Sequence, residues 1–177
     1  IRTFLRYALA GGLAEMLVIL IAPLLGMPLP LTPAMILWVN MVTHGVPGVA
    51  FGAEPLDPRL MRRPSPSPAR SILDGTLLRQ IVIAGLMMAT VSLVAGWLAF
   101  RAGGPVQTVV FLTLGLSQLG VALALRAPRR NCSWRDRGLE VAVLLAVACQ
   151  LAGVLVPGLR DLLGTEALAG RDIVLLM

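Results

Sequence analysis

No lysine occurs anywhere in the 177 residues, and histidine and tyrosine occur once each. Lacking lysine, the chain has no Walker-type phosphate loop, in which glycine amides and a lysine wrap the phosphates of a nucleotide. Charged residues are also scarce, at 14% against 57% hydrophobic, where an ordinary soluble domain carries about 25% charged residues. That imbalance excludes a water-soluble core. Cysteine is limited to Cys132, in a basic connection, and Cys149, inside an apolar run, so neither a disulfide framework nor a cysteine metal cluster is expected. Aromatics, at 5%, do not alternate with the arginines as a base-stacking platform requires. The net charge of +6 is therefore not the footprint of a nucleic-acid partner, and no nucleic acid is expected.

What the sequence does have is apolar length. The first run, residues 7–26, is broken by Gly11, Gly12 and a single carboxylate, Glu15, and closes on the turn-forming Met27-Pro28-Leu29-Pro30. The second, residues 33–51, is the most polar, with Asn40, Thr43, His44, Gly45 and Pro47 inside it. Residues 52–77 carry Pro55, Pro58, Pro64, Pro66 and Pro68 among several charges, which rules out a long regular helix and marks an aqueous connection. Runs at 78–100, 106–125 and 139–156 are each long enough to cross about 30 Å of hydrocarbon. Residues 172–177 begin a further apolar stretch too short to cross. The fold class expected is an all-α membrane protein, a helical bundle of about five transmembrane helices plus a truncated sixth, with a Pro/Arg-rich loop at 52–77.

Arginine placement orients the bundle, because cytoplasmic loops carry the excess of positive charge. Arg2 and Arg6 precede the first run; Arg59, Arg62, Arg63, Arg70 and Arg79 follow the second; Arg126, Arg129, Arg130, Arg135 and Arg137 follow the fourth. Those twelve face Arg101, Arg160 and Arg171 in the alternate connections. A multi-pass protein of the plasma (inner) membrane with a cytoplasmic N-terminus is expected. Asn131-Cys132-Ser133 matches a glycosylation acceptor, but on the cytoplasmic side the match is coincidental. The chain opens on Ile1 rather than methionine, and its first run outlasts a signal-peptide core, so a piece of a larger protein without a signal peptide is expected.

An ionisable side chain in hydrocarbon costs about 2.5–3.5 kcal/mol on insertion scales, so it faces the bundle interior and marks an ion or proton path. Glu15 and His44 are the titratable groups deep in the expected spans. Asn40, Thr43 and His44, at offsets of zero, three and four, share one helical face, and that face can meet Glu15. Just beyond, Gly45, Pro47 and Gly48 weaken the helix, since Pro47 has no amide hydrogen. Carbonyls freed in this way serve as ligands at broken membrane helices, and a hard cation accepts carboxylate, amide, hydroxyl and carbonyl oxygens. Structural readings stand beside the functional one: Glu15 as a paired or protonated carboxylate, Asn40 and Thr43 as bonds between helices, His44 as a neutral core residue, and Gly48 with Gly52 as a close-packing G-x-x-x-G pair.

The same residues carry a family resemblance. Leu37-Trp38-Val39-Asn40-Met41-Val42-Thr43-His44-Gly45-Val46-Pro47 resembles the sixth membrane helix of cation-transporting P-type ATPases of the calcium-pump type, whose pattern is Leu-Trp-Val-Asn-Leu-Val-Thr-Asp-Gly-Leu-Pro. Gly52-Ala53-Glu54-Pro55, then Met61-Arg62-Arg63-Pro64-Ser65-Pro66-Ser67-Pro68, is similar to the family's proline-rich loop between helices six and seven. Phe4-Leu5-Arg6-Tyr7, followed by Glu15, looks like the start of helix five. These stretches lie within the first 80 residues or so, while the later spans agree in number and spacing.

The resemblance implies that residues 1–177 form the C-terminal transmembrane domain of an ATP-driven cation pump, helices five to ten with the last incomplete. It places Glu15 as a helix-five cation ligand, Asn40 and Thr43 as helix-six ligands, and Gln118 where helix eight supplies a glutamate, so that a transported cation binds between the first two spans. His44 stands where helix six has an aspartate, and Gly12 where helix five has an asparagine. Losing that carboxylate removes a charge and two oxygens from a site in which calcium takes six to eight oxygens. An imidazole suits a transition metal or carries a proton, and a monovalent cation or magnesium also remains open. The family's phosphorylated aspartate lies in Asp-Lys-Thr-Gly-Thr, which a lysine-free chain does not contain. ATP and Mg are thus expected to act only through domains absent from this chain. The partners implied are the lipid bilayer and the N-terminal helices and cytoplasmic domains of a parent pump. The alternative is a stand-alone membrane protein, a secondary transporter or a regulatory remnant of a pump, with no ATP coupling.

Overall fold

A computed structural model describes residues 2–53, 74–126 and 137–166. Among the described residues the chain is helical and has no strand. In order it forms α1 (Arg2–Leu24), α2 (Pro33–Val39), a π-helical segment (Asn40–Gly45), α3 (Val46–Ala53), α4 (Gly75–Arg101), α5 (Val106–Ala124), α6 (Gly138–Leu155) and α7 (Pro157–Leu163). The second, third and fourth of these run on as one rod, so five helices of 23, 20, 27, 19 and 18 residues are long and apolar enough to cross a membrane. At about 1.5 Å per residue each matches or exceeds most of the hydrocarbon thickness. The chain is an all-α membrane bundle. The proline-rich connection, the Asn131-Cys132-Ser133 match and the sixth apolar stretch lie outside the described residues.

Local chemistry sets the ends of the rods. Thr32 caps α2, its hydroxyl accepting from the Met35 amide at 3.2 Å, with Pro33 in the first turn, where a missing N–H leaves nothing unsatisfied. Asp74 caps α4 by accepting from Leu77 N at 2.8 Å, while its second oxygen takes Arg2 at 2.5 Å. One carboxylate thereby starts α4 and ties it to the start of α1. Gly26, Gly103 and Gly164 adopt positive φ just past α1, α4 and α7, the left-handed conformation that closes a helix cheaply only at glycine.

The spans alternate in direction. The start of α1 meets the start of α4 through Arg2–Asp74 and Arg6–Gln80, and Arg126 pairs with Glu140 where α5 ends and α6 begins. At the other end Gln107 donates to the Leu29 carbonyl and Thr32 to that of Leu163. Arg101 there lies 5.8 Å from the Trp97 ring, a cation–π contact near the end of α4. Arg2, Arg6, Arg79, Arg126 and Arg137 thus gather at one end, with Arg101 and Arg160 at the other.

Membrane helices gain little from burying apolar area against each other, because lipid is as apolar as leucine; close contact of small residues does the work instead. On α1, Ala10, Ala14, Val18 and Ala22 repeat every four residues and are completely buried, and α4 is the helix it packs against most extensively. A Cβ on Gly85 of α4 would meet Leu13 at 2.8 Å and the Ala10 carbonyl at 3.1 Å. Only glycine permits that approach. α5 is the most enclosed span, wedged among α1, α4, α6 and the π-helical segment. Exposed Met16, Leu20, Leu37, Met87 and Leu144 form the outward faces, as expected of side chains that meet lipid. Of the two glycines spaced G-x-x-x-G, Gly48 is packed, its Cβ position 3.0 Å from the Phe4 ring, whereas nothing lies near Gly52.

Candidate ion-binding site

A second stripe on α1, offset by one residue from the alanines, carries Tyr7, Gly11 and Glu15, all buried. It faces the π-helical segment and α5, and there the five polar residues singled out from the sequence come together. Glu15, 6% exposed, accepts Asn40 Nδ2 on Oε2 and Gln118 Nε2 on Oε1, each at 3.0 Å. Thr43 and Gln118, both completely buried, meet through the threonine hydroxyl and Gln118 Oε1 at 2.6 Å. The same hydroxyl lies 2.7 Å from the Val39 carbonyl, so its one proton is shared between two acceptors. Asn40 Oδ1 lies 3.0 Å from His44 Nδ1.

These contacts fix both amide orientations. Asn40 Nδ2 also donates to the Ile36 carbonyl at 2.9 Å, so turning the amide over would set its oxygen against two acceptors. Gln118 Nε2 likewise faces Glu15 and, at 3.5 Å, the Gly11 carbonyl. With Asn40 Oδ1 an acceptor, His44 Nδ1 is the donor, so in the neutral tautomer Nε2 is the bare nitrogen. That Nε2 is buried without a hydrogen-bond partner. It points at α1 where Gly11 has no side chain: a Cβ there would lie 2.3 Å from His44 Nε2 and 3.2 Å from Gln118 Nε2.

The π-helical segment explains a departure from the expected geometry. On an α-helix Asn40, Thr43 and His44 would share one face, but the wider π turn, with hydrogen bonds to the fifth residue, spreads them. Thr43 turns inward to α5, while Asn40 and His44 stay toward α1, bonded to each other. Pro47 accounts for the weakened turn: in an α-helix its amide would serve the Thr43 carbonyl, and it has none. The Tyr7 hydroxyl donates to that carbonyl instead, and its ring stacks at a tilt on His44 and Phe51, with centroids 5.4 and 5.5 Å away. The freed carbonyl is thus taken up by Tyr7 rather than left open as a ligand.

Tyr7, at the edge of the first apolar run, joins the site because it lies two helical turns before Glu15 and so shares its face. A second buried polar side chain sits between α5 and α6. Gln150 of α6, completely buried, donates to the Phe111 carbonyl at 3.0 Å and occupies the space left by Gly115; its signal was an amide inside an apolar run.

The donor set is one carboxylate, two side-chain amides, one hydroxyl and one imidazole. Among the described residues no three His, Cys, Asp or Glu side chains cluster, and the ion pairs Arg2–Asp74 and Arg126–Glu140 do not involve Glu15. A buried carboxylate is held here by amide dipoles alone.

Residues 28–177 match the family described as cation transporting ATPase, C-terminus. The chain belongs to this family. It is 32% identical over 184 residues to a calcium-transporting ATPase of Bacillus subtilis (strain 168), covering all of this chain and 21% of that protein. It is 28% identical to the calcium-transporting ATPase type 2C member 2 of Mus musculus, covering 99% of this chain and 20% of that one. The chain therefore spans about a fifth of the length of the curated relatives it matches. As a cation-transporting ATPase C-terminal domain it is the membrane part of such a transporter.

Proposed function

We propose that the network of Glu15, Asn40, Thr43, His44 and Gln118 is the place where the transported cation binds, between the first two spans and α5. The observation that carries this reading is Glu15, a carboxylate buried in a bundle, engaged on both oxygens by amides and, among the described residues, paired with no cationic side chain. Asparagine and glutamine are suited to such a place because either end of the amide can be presented, N–H to an empty carboxylate or oxygen to a cation. The end of the bundle that gathers Arg2, Arg6, Arg79, Arg126 and Arg137 faces the cytoplasm of a plasma (inner) membrane under the positive-inside rule. ATP hydrolysis with Mg is supplied by further domains of a longer pump, in keeping with relatives about five times the length of this chain.

The test is Glu15→Gln in the polypeptide as its gene encodes it, reconstituted in vesicles. Gln keeps the shape and removes the charge. Cation-stimulated ATP hydrolysis and cation uptake should both fall by at least tenfold at a cation concentration that half-saturates the wild type. Unchanged cation dependence would overturn the assignment.

A further inference from the structure

We infer that the cleft between the first turns of α1 and α4 is a binding site for the phosphodiester of an anionic phospholipid, grasped by Arg2 and Arg6. It lies at the end of the bundle, apart from the network around Glu15, and does not depend on it.

Helical spacing builds the lining. Arg2 and Arg6, four residues apart, form one ridge on α1, and Thr76 and Gln80, again four apart, form the facing ridge on α4. Thr3 lies beside the arginines, and Leu77 and Leu125 supply an apolar wall, enclosing a cleft of about 300 Å3. That volume is at the lower end of small-ligand sites. α1 runs for 23 residues and α4 for 27. At about 1.5 Å per residue both outlast about 30 Å of hydrocarbon, so their first turns stand level with the lipid headgroups.

The lining presents donors. Among the described residues no carboxylate lines the cleft. Asp74, just outside it, is turned to the Leu77 amide at 2.8 Å and to Arg2 at 2.5 Å, and offsets the charge of Arg2 alone. Arg6 is held by a neutral group, its Nη1 donating to Gln80 Oε1 at 3.0 Å, so its charge has no counter-ion among the described residues. With Oε1 turned to Arg6, Gln80 keeps Nε2 to donate, and the Thr3 and Thr76 hydroxyls can donate as well. Two guanidinium forks around one uncompensated positive charge match a singly charged phosphodiester, whose free oxygens accept a guanidinium in bidentate fashion. A free phosphate shares this oxygen chemistry, but the position level with the headgroups favours the lipid. Basic clefts between membrane helices take anionic headgroups for the same electrostatic reason.

The experiment places the full gene product in nanodiscs of phosphatidylcholine and phosphatidylglycerol and counts retained lipids by native mass spectrometry. Wild type should keep a single phosphatidylglycerol in preference to phosphatidylcholine. Arg6→Gln should lower that preference about fivefold, the worth of one arginine at an anionic surface. Arg6→Lys, which keeps the charge and loses the fork, should lower it less. Thr76→Glu removes none of the contacts above and sets a carboxylate in the cleft, in the first turn of α4 where a helix accepts negative charge. It should abolish the preference in a folded protein, which keeps the idea testable where Arg6→Gln loosens the contact between α1 and α4. Arg79→Gln removes an exposed arginine outside the cleft and should leave retention unchanged. Equal retention of the two lipids by wild type overturns the inference. A loss in Arg79→Gln as large as in Arg6→Gln also overturns it, since general surface charge would then be the cause. Displacement of the lipid by millimolar inorganic phosphate overturns it too, by assigning the cleft to a free anion.

Discussion

Replacing Tyr7 by Phe removes one oxygen and leaves the buried ring in place, which isolates the bond to the Thr43 carbonyl. In an α-helix that carbonyl would receive the amide of residue 47, and Pro47 has no hydrogen to give. A buried carbonyl left without its donor costs about 1–3 kcal/mol, while interhelical hydrogen bonds measured in membranes average about 0.6 and reach about 1.7 kcal/mol. The Tyr7 bond lies toward the upper end of the membrane range because its acceptor has lost its usual partner. We expect Tyr7→Phe to cost about 1–1.5 kcal/mol, close to a tenfold change in the unfolding equilibrium. The decisive arm is the cycle with Pro47→Ala, which returns an amide hydrogen to the turn. In that background Tyr7→Phe should cost less than about 0.5 kcal/mol, measured by reversible unfolding in bicelles. Equal losses with and without Pro47 would refute the claim that Tyr7 stands in for the missing amide.

Gly115→Ala should destabilise by about 1–3 kcal/mol through overpacking, because its Cβ would lie 2.4 Å from Gln150 Nε2; combining it with Gln150→Ala should recover part of that loss in the same unfolding assay. Ser92 is buried on α4 with no partner for its hydroxyl, so Ser92→Ala should be neutral or stabilising by up to about 1 kcal/mol, whereas a loss above that would reveal a missed bond. Leu144, 68% exposed near the middle of α6, marks a lipid-facing surface, and Leu144→Arg should cost about 2.5–3.5 kcal/mol of insertion free energy, read as the glycosylation-tagged inserted fraction.

The number and extent of the spans were legible because hydrocarbon thickness imposes length on any helix that crosses it, whatever its neighbours. Four of the clustered polar residues were legible for a related reason: each polar side chain in an apolar run carries a cost that some neighbour has to offset, so Glu15, Asn40, Thr43 and His44 stand out before any packing is known. Gln118 came only through resemblance, since a glutamine in α5 says nothing by itself about which helix it meets. The role of Tyr7 is not legible because its partner, the Thr43 carbonyl, is a backbone atom that no side-chain pattern reveals. The π-helical turn was half legible. Pro47 announced a weakened helix, but whether the chain would break, kink or widen depended on Tyr7 and Gln118 being within reach of Thr43.

The same network sets how a cation would be sensed under the proposed reading. To face a cation, Gln118 has to turn its amide and bring Oε1 to the side where Nε2 now meets Glu15. That rotation presents Nε2 to the Thr43 hydroxyl oxygen and commits the hydroxyl proton to the Val39 carbonyl at the last residue of α2. Asn40 faces the same exchange, and turning its oxygen to the ion releases both the Ile36 carbonyl and His44 Nδ1. A single ion at Glu15 therefore rearranges hydrogen bonds on α1, α5 and both ends of the π-helical turn at once. Only differences in interaction between two states can shift an equilibrium, and these bonds differ between the two.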